Sequence, residues 1–316
     1  MLSYFPKSIS SIIKKFNKSS IWFKTLSIIV LGLIITLLLK SEEKENFVPT
    51  GTGGKKFVVK QNSNLYDEFY ASIYDELVYD PKKNEFEITA IQRHAAMDAN
   101  SNVLDIGCGT GHHVYHYQVS GIKIQGLDKS KPMTQVAEHH YPDCEFKIGD
   151  VLKSNTYDRN QFTHALCLYY TIYYMRDKAL FFKNVYDWLR PGGTLVIHLV
   201  NRNMFDPIIL AGDPLVGVSA QKHAPKRITN SVAKFNNFTY KANFHHKKGE
   251  NVAIFKESFK DDKTKHVRQN EHTLYMETQK EILGKAKQVG FIMKGQMNMV
   301  EAQYEYQYLY FLQKPN

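Results

Sequence analysis

The sequence predicts an α/β domain built on a mostly parallel, doubly wound sheet, with an apolar helix ahead of it. Three observations predict this. Short apolar runs alternate with amphipathic stretches from Asn102 onward, a pitch that calls for parallel strands joined by right-handed crossovers. The run Val103-Leu104-Asp105-Ile106 breaks into glycine at every second position, Gly107, Gly109 and Gly111, which reads as a buried strand entering a tight loop and then a helix. Before either of these, residues 21–39 are apolar all round rather than on one side.

The N-terminal elements come first. Residues 1–20 are a basic leader. Ile21 to Leu39 carries one charge, Lys24, and its 19 residues suffice to cross a bilayer core of about 30 Å at about 1.5 Å per residue. Trp22 and Phe23 fall where an interfacial aromatic belt would lie, so 21–39 is expected to be a single-pass transmembrane helix. Lysines flank it nearly equally, so charge does not set the orientation. Cys108, Cys144 and Cys167 form no C-x-x-C pair and suit a reducing compartment, and the domain that follows the span is therefore expected to face the cytosol. Residues 40–62, with Gly51-Thr52-Gly53-Gly54, read as a flexible linker, and 63–316 as that globular domain.

Within that domain, Leu65 to Asp80 is expected to be one helix, with Tyr66, Tyr70 and Tyr74 on a single stripe. Strands are expected at Ile122–Leu127, Cys144–Ile148, Thr163–Leu168 and Thr194–Val200, with helices at Pro132–Tyr141 and Lys178–Leu189 between them. Arg190-Pro191-Gly192-Gly193 reads as a helix stop and turn. Lys280 to Gly290 is a last helix, followed by an antiparallel pair at Phe291–Val300 and Tyr306–Gln313. Residues 201–276 form an insertion read as a three-stranded meander, Thr239–His245, Val252–Lys260 and Val267–Met276.

The glycine spacing decides between ligands. It is G-x-G-x-G, one residue short of the dinucleotide fingerprint, and no Gly-Lys-Ser/Thr follows it. This excludes a dehydrogenase of that type and a P-loop enzyme. Asp105, two residues before the first glycine, repels phosphate and suits a cationic ligand. Asp128 and Asp150 also fall at or just beyond strand ends, where ligands of such sheets sit.

Asp105 to Gly111 resembles motif I of the class I S-adenosylmethionine (SAM) dependent methyltransferases, Asp/Glu-x-Gly-x-Gly-x-Gly. Leu189-Arg190-Pro191-Gly192-Gly193 resembles their Leu-Lys/Arg-Pro-Gly-Gly signature, and the likeness covers about residues 65–200 and 277–316. It implies a Rossmann-like, seven-stranded sheet with helices on both faces and an antiparallel last strand, interrupted here by the β-rich insertion. It implies SAM as cofactor, S-adenosylhomocysteine as product, and no metal. In that frame Asp128 suits the ribose hydroxyls, Met133 offers a soft face to the adenine, and Asp150 and the Val151 N–H suit the adenine edge. Asp105 suits the ammonium of the amino-acid end. Gly107, Cys108, Gly109, Gly111 and Leu168 complete the cofactor set.

The tyrosine cluster Tyr169, Tyr170, Tyr173 and Tyr174 falls where the transferable methyl should lie, and aromatic faces attract cations. Tyr170 and His198 are the catalytic candidates by strand-end position. Tyr66, Tyr74 and Tyr173 are the substrate candidates. No Asn/Asp-Pro-Pro-Tyr follows the fourth strand, which disfavours nucleobase and amide amino-methylation. A small molecule or lipid is the favoured acceptor.

Composition adds one more pointer. The apolar fraction of 43% describes a globular protein, and the net charge of +10 favours an anionic partner. Twelve Lys/Arg stand against four Asp/Glu between 222 and 268, a basic insertion suited to a lipid surface or RNA. The alternatives are therefore an RNA methyltransferase using that insertion, or a non-catalytic membrane-anchored binding module on the same fold.

Overall fold

The computed structural model describes residues 16, 18–40, 52–207 and 227–316; for 32–40 and 63 only the backbone is described. The chain divides into two compact units, Met1–Phe47 and Val48–Asn316. In the first, Ile21–Lys40 form helix α1. Ile21, Trp22, Leu26 and Ile28 are exposed along it. Among the described residues no helix is long and apolar enough to cross a membrane, so the expected transmembrane span is not supported by the structure. Most of the basic leader, residues 41–51 of the linker and residues 208–226 of the insertion lie outside the described residues.

The second unit carries two sheets. The larger is built from β2 (Asn102–Ile106), β3 (Lys123–Asp128), β4 (Glu145–Ile148), β5 (Phe162–Cys167), β6 (Leu189–Val200), β11 (Ile292–Asn298) and β12 (Gln307–Gln313). Their order is β11-β12-β6-β5-β2-β3-β4. Strands β2 to β6 run parallel, and β12 is antiparallel to both its neighbours, as the sequence predicts. Helices α4 (His112–Val119), α5 (Lys131–His140), α6 (Lys178–Trp188) and α7 (Gln279–Val289) belong to the same layered unit. Val103, Leu104, Leu166 and Val196 are fully buried in the central strands, each contributing about 2 kcal/mol by leaving water. Local chemistry fixes the helix starts. Ser130 accepts from the Met133 N–H, Asp177 accepts from the Leu180 N–H, and Thr278 with Glu281 forms a reciprocal capping box.

Four expectations are corrected here. The helix expected over 65–80 is shorter, α2 (Glu68–Val78), and a second helix, α3 (Pro81–His94), follows it directly. Asp67 and Asp80 cap them, and Pro81 sits at the first turn of α3, where its missing N–H costs nothing. Tyr66 therefore precedes the helix rather than sharing its stripe. The linker also ends earlier than expected, because Phe57–Gln61 form strand β1, hydrogen-bonded in parallel to β10 (Val267–Tyr275). Arg190 to Gly193 is not a free turn: it lies inside β6, with the register against β5 shifting between Phe162 and His164. The insertion is larger than a three-stranded meander. With β7 (Asn230–Lys234), β8 (Phe238–His246) and β9 (Val252–Asp261) it makes a five-stranded sheet ordered β1-β10-β9-β8-β7. Both missed strands, β1 and β7, are edges with half-exposed residues and no clean apolar alternation to read.

This second sheet buries one face. Tyr240 on β8, Phe255, Glu257 and Phe259 on β9, and Arg268, Asn270 and His272 on β10 all point inward. Phe69 of α2 meets Phe259 edge-on at 5.4 Å. Arg268 is fully buried and grips Asp67 with a guanidinium nitrogen 2.8 and 2.9 Å from its two oxygens, which ties the sheet to the cap of α2. Several insertion charges are spent this way: Lys256 pairs with Glu271, Lys247 with Glu250, and Arg227 donates to the Phe205 and Arg202 carbonyls.

Candidate active site

A cavity of about 730 Å³ lies at the carboxyl ends of β2, β3 and β4 and continues under the second sheet. Its floor is the glycine turn. Gly107 has φ of 72°, and a Cβ there would come within 2.5 Å of Thr171 Cγ2. Only glycine fits both the backbone and the space. The Gly107 and Cys108 N–H groups donate to the Leu127 carbonyl at 2.7 and 3.2 Å, stitching the turn to β3.

The three carboxylates that the sequence singles out line this cavity, together with Asp75. Asp105 is buried near the end of β2, and burial, with Asp128 and Glu87 repelling it against the pull of His113, pushes its carboxyl up to about 6. Asp128 ends β3 and accepts from the Gly109 N–H at 3.0 Å and the Ser130 N–H at 2.8 Å. Burial still holds it above the usual carboxylate range despite those donors. Asp150 follows β4 and lies 2.8 Å from Lys129 Nζ. Burial raises it, but the Lys129 bond and the Leu152 N–H outweigh that, so it sits below the ordinary value. One carboxylate is thus poised for a cation, and the other two are shaped to accept hydrogen bonds. Met133, Cys108, Gly109, Val151 and Leu168 line the same space.

The far part of the cavity is aromatic. Tyr66, Tyr74 and Tyr170 line it as predicted, joined by Tyr70, Tyr169 and Tyr174. Tyr66 stands 5.3 Å from Tyr70, 6.3 Å from Tyr74 and 5.8 Å from Tyr174 between ring centres. Tyr170 stacks on Tyr169 at 4.2 Å. Burial keeps the Tyr74, Tyr170 and Tyr174 phenols well above their ordinary range, so they remain neutral donors.

Three predicted residues do not line the cavity. His198 is fully buried between β6 and β12, 4.0 Å from Glu87, and burial depresses its imidazole to about 4. The strand alternation points its side chain into the protein. Tyr173 is also fully buried, with its hydroxyl accepting from the Val200 N–H at 2.8 Å. Gly111 starts α4 with φ of 88°, and a Cβ there would strike Phe146 at 2.7 Å, so it packs helix on sheet rather than meeting a ligand. Conversely, Lys83, Asn84 and His113 line the cavity and carry no sequence motif. His272 and Tyr275, from the second sheet, line its roof.

Residues 103–193 match the family model described as a methyltransferase domain. The match covers less than a third of the chain and supports a SAM-dependent methyltransferase domain there. Its cofactor is SAM. A dTDP-4-amino-2,3,4,6-tetradeoxy-D-glucose N,N-dimethyltransferase of Saccharopolyspora spinosa is 30% identical over 146 residues, 43% of this chain and 57% of that protein. Phosphoethanolamine N-methyltransferase 3 of Arabidopsis thaliana is 33% identical over 100 residues, 30% of this chain and 20% of that protein. The chain thus spans less than two thirds of these relatives. Among solved structures, the CcbJ methyltransferase from Streptomyces caelestis superposes with a TM-score of 0.62 at 14% identity, covering 80% of this chain and 99% of that one. The fold is therefore shared well beyond the matched segment.

Proposed function

We propose that this protein transfers the methyl group of SAM to a small acceptor bearing a primary amine. The observation that carries the reading is one continuous cavity, with the glycine turn and three strand-end carboxylates at one end and a tyrosine-lined chamber at the other. Bound SAM supplies a methyl group on a positively charged sulfur, already activated for displacement. Asp128 would hold the ribose hydroxyls, Asp150 and the Val151 N–H the adenine edge, Met133 the adenine face, and Asp105 the ammonium of the amino-acid end. Each matches the group that it faces in charge or polarity. The protein's remaining work is to orient the acceptor and exclude water, which can supply most of the acceleration. Tyrosine rings attract an ammonium. The relatives named for amino-sugar and phosphoethanolamine N-methylation support that acceptor class.

The test is transfer of tritiated methyl from SAM by the full chain to pools of small amines, phosphatidylethanolamine vesicles and total RNA. The reading expects label in the small amines. Label confined to RNA would favour the basic insertion as a nucleic-acid site, and no label anywhere would favour a binding module.

We further propose that α1 anchors the protein to a membrane, with the catalytic unit on the cytosolic side where SAM is available. Its support is the 19-residue apolar run and the exposed apolar side chains along its first half. Flotation of the full chain with vesicles should resist high salt and should be lost in a chain beginning at residue 48. Salt-sensitive flotation would instead indicate surface charge alone.

A further inference from the structure

The roof of the cavity holds a chain of polar groups that the cofactor site does not use. Glu257 on β9 and His272 on β10 are 0% and 1% exposed, and His272 Nε2 lies 2.6 Å from Glu257 Oε2. The other ring nitrogen, Nδ1, lies 2.7 Å from the Tyr174 hydroxyl. The Tyr66 ring stands edge-on to Tyr174, 5.8 Å between ring centres. Glu257 also accepts from the Tyr240 hydroxyl at 2.8 Å, with Asn270 Nδ2 at 3.5 Å. A neutral imidazole between a carboxylate and a phenol has one consistent arrangement: Nε2–H donates to Glu257, and Nδ1 accepts from Tyr174. Burial alone would raise the Glu257 carboxyl, but the facing His272 and the Tyr240 and Tyr70 hydroxyls reverse this and hold it below its ordinary value. The carboxylate is therefore a fixed anion behind the ring.

The chain is directional and opens into the chamber. Tyr66, Tyr174 and His272 all line the cavity, whereas Glu257 does not. Tyr74, whose ring would lie 3.7 Å from a Cβ on Gly109, carries the same wall back to the glycine turn.

We propose that the Tyr174 hydroxyl accepts the proton that an amine acceptor must lose before methylation, with His272 and Glu257 as positioning residues that draw it onward. This rests on the methyltransferase reading above. An amine arrives in neutral water as an ammonium with no free electron pair. One N–H bond breaks and its proton passes to the Tyr174 oxygen, while the phenol's own proton moves to His272 Nδ1. The imidazolium so formed is held by the Glu257 carboxylate. The freed pair on nitrogen then forms the bond to the methyl carbon of SAM, the carbon–sulfur bond breaks, and its electron pair stays on sulfur. Tyr174 is neutral before and after, so it relays the proton without having to exist as a buried phenolate. The groups facing His272 are Glu257 from β9, Tyr174 from the turn after β5, Tyr66 just before α2 and Tyr70 in its first turn; Tyr240 of β8 acts through Glu257.

The experiment uses the full chain, tritiated-methyl SAM and cyclohexylamine as the probe acceptor, with S-adenosylhomocysteine binding measured in parallel. Tyr174→Phe and His272→Gln should each lower kcat about 100-fold at pH 7, within the range of a lost general base. S-adenosylhomocysteine affinity should stay within about two-fold, which also certifies the fold of each variant. The deficit should shrink as pH rises toward about 10, where an alkylamine loses its proton unaided. A deficit of equal size at every pH would mark a packing role and overturn the proposal. So would no deficit, or a wild-type protein that binds S-adenosylhomocysteine but does not methylate the amine. Failure to bind S-adenosylhomocysteine at all would overturn the methyltransferase reading with it.

Discussion

Replacing Asp105 by Asn should stabilise the empty protein and destroy its affinity for SAM. Asp105 is 3% exposed, and its carboxyl is raised from an ordinary 3.8 to about 6. A displacement of that size penalises the ionised form by about 3 kcal/mol, since each factor of ten costs about 1.4 kcal/mol. The sign follows from linkage. A carboxyl raised in the folded state favours folding when protonated, so its contribution is best below about pH 4 and declines as pH rises to about 6. Above that it is constant and unfavourable. Asn keeps the shape and removes the charge. Allowing for relaxation, the variant should be about 1–3 kcal/mol more stable at pH 7, or roughly 2–10 °C in Tm for a domain of this size. The gap should close as pH falls from 6 toward 4. Thermal unfolding at a series of pH values, with and without S-adenosylhomocysteine, reads both effects. A variant less stable than wild type at pH 7, or a gap that does not change with pH, would refute the reasoning, as would undiminished ligand stabilisation.

Three further outcomes follow from particular contacts. Gly111→Ala places a Cβ 2.7 Å from Phe146 at a φ of 88° and should cost about 2–4 kcal/mol in denaturant unfolding, chiefly through packing of α4 on the sheet. Arg268→Met removes the buried partner of Asp67, as well as donors to the Leu65 carbonyl and to Asn270. It should destabilise by about 2–4 kcal/mol and raise protease cleavage in the second sheet, while the partial exposure of Asp67 keeps the cost below that of a fully buried orphan. His198→Gln should leave S-adenosylhomocysteine affinity and methyl transfer within about three-fold of wild type, because the ring lies outside the cavity; a hundred-fold loss would return it to the catalytic list.

The glycine turn, the strand-end carboxylates and the alternating core were legible because each is local. A strand ending in Gly107 declares itself within ten residues, and Asp128 and Asp150 follow at fixed points of the same repeat. What escaped was set by distant pairing. Strand β1 exists because β10, more than two hundred residues later, offers it an edge. His272 and Glu257 are fifteen residues apart in the sequence and look like two polar residues in a charged insertion, yet neighbouring strands turn both inward. His198 and Tyr173 were misread for the opposite reason. Position along the chain placed them near the strand end, but alternation and burial point them away from the cavity. Nor does the basic count of the insertion tell which charges are paired internally, as Arg268 is with Asp67.

The most direct measurement is calorimetric titration of S-adenosylhomocysteine into the full chain and into its Asp128→Ala variant. The account predicts one site per chain with micromolar affinity, weakened at least about ten-fold in the variant by loss of the acceptor for the ribose hydroxyls. A folded wild-type protein that takes up no S-adenosylhomocysteine, or one bound equally well without Asp128, would contradict it.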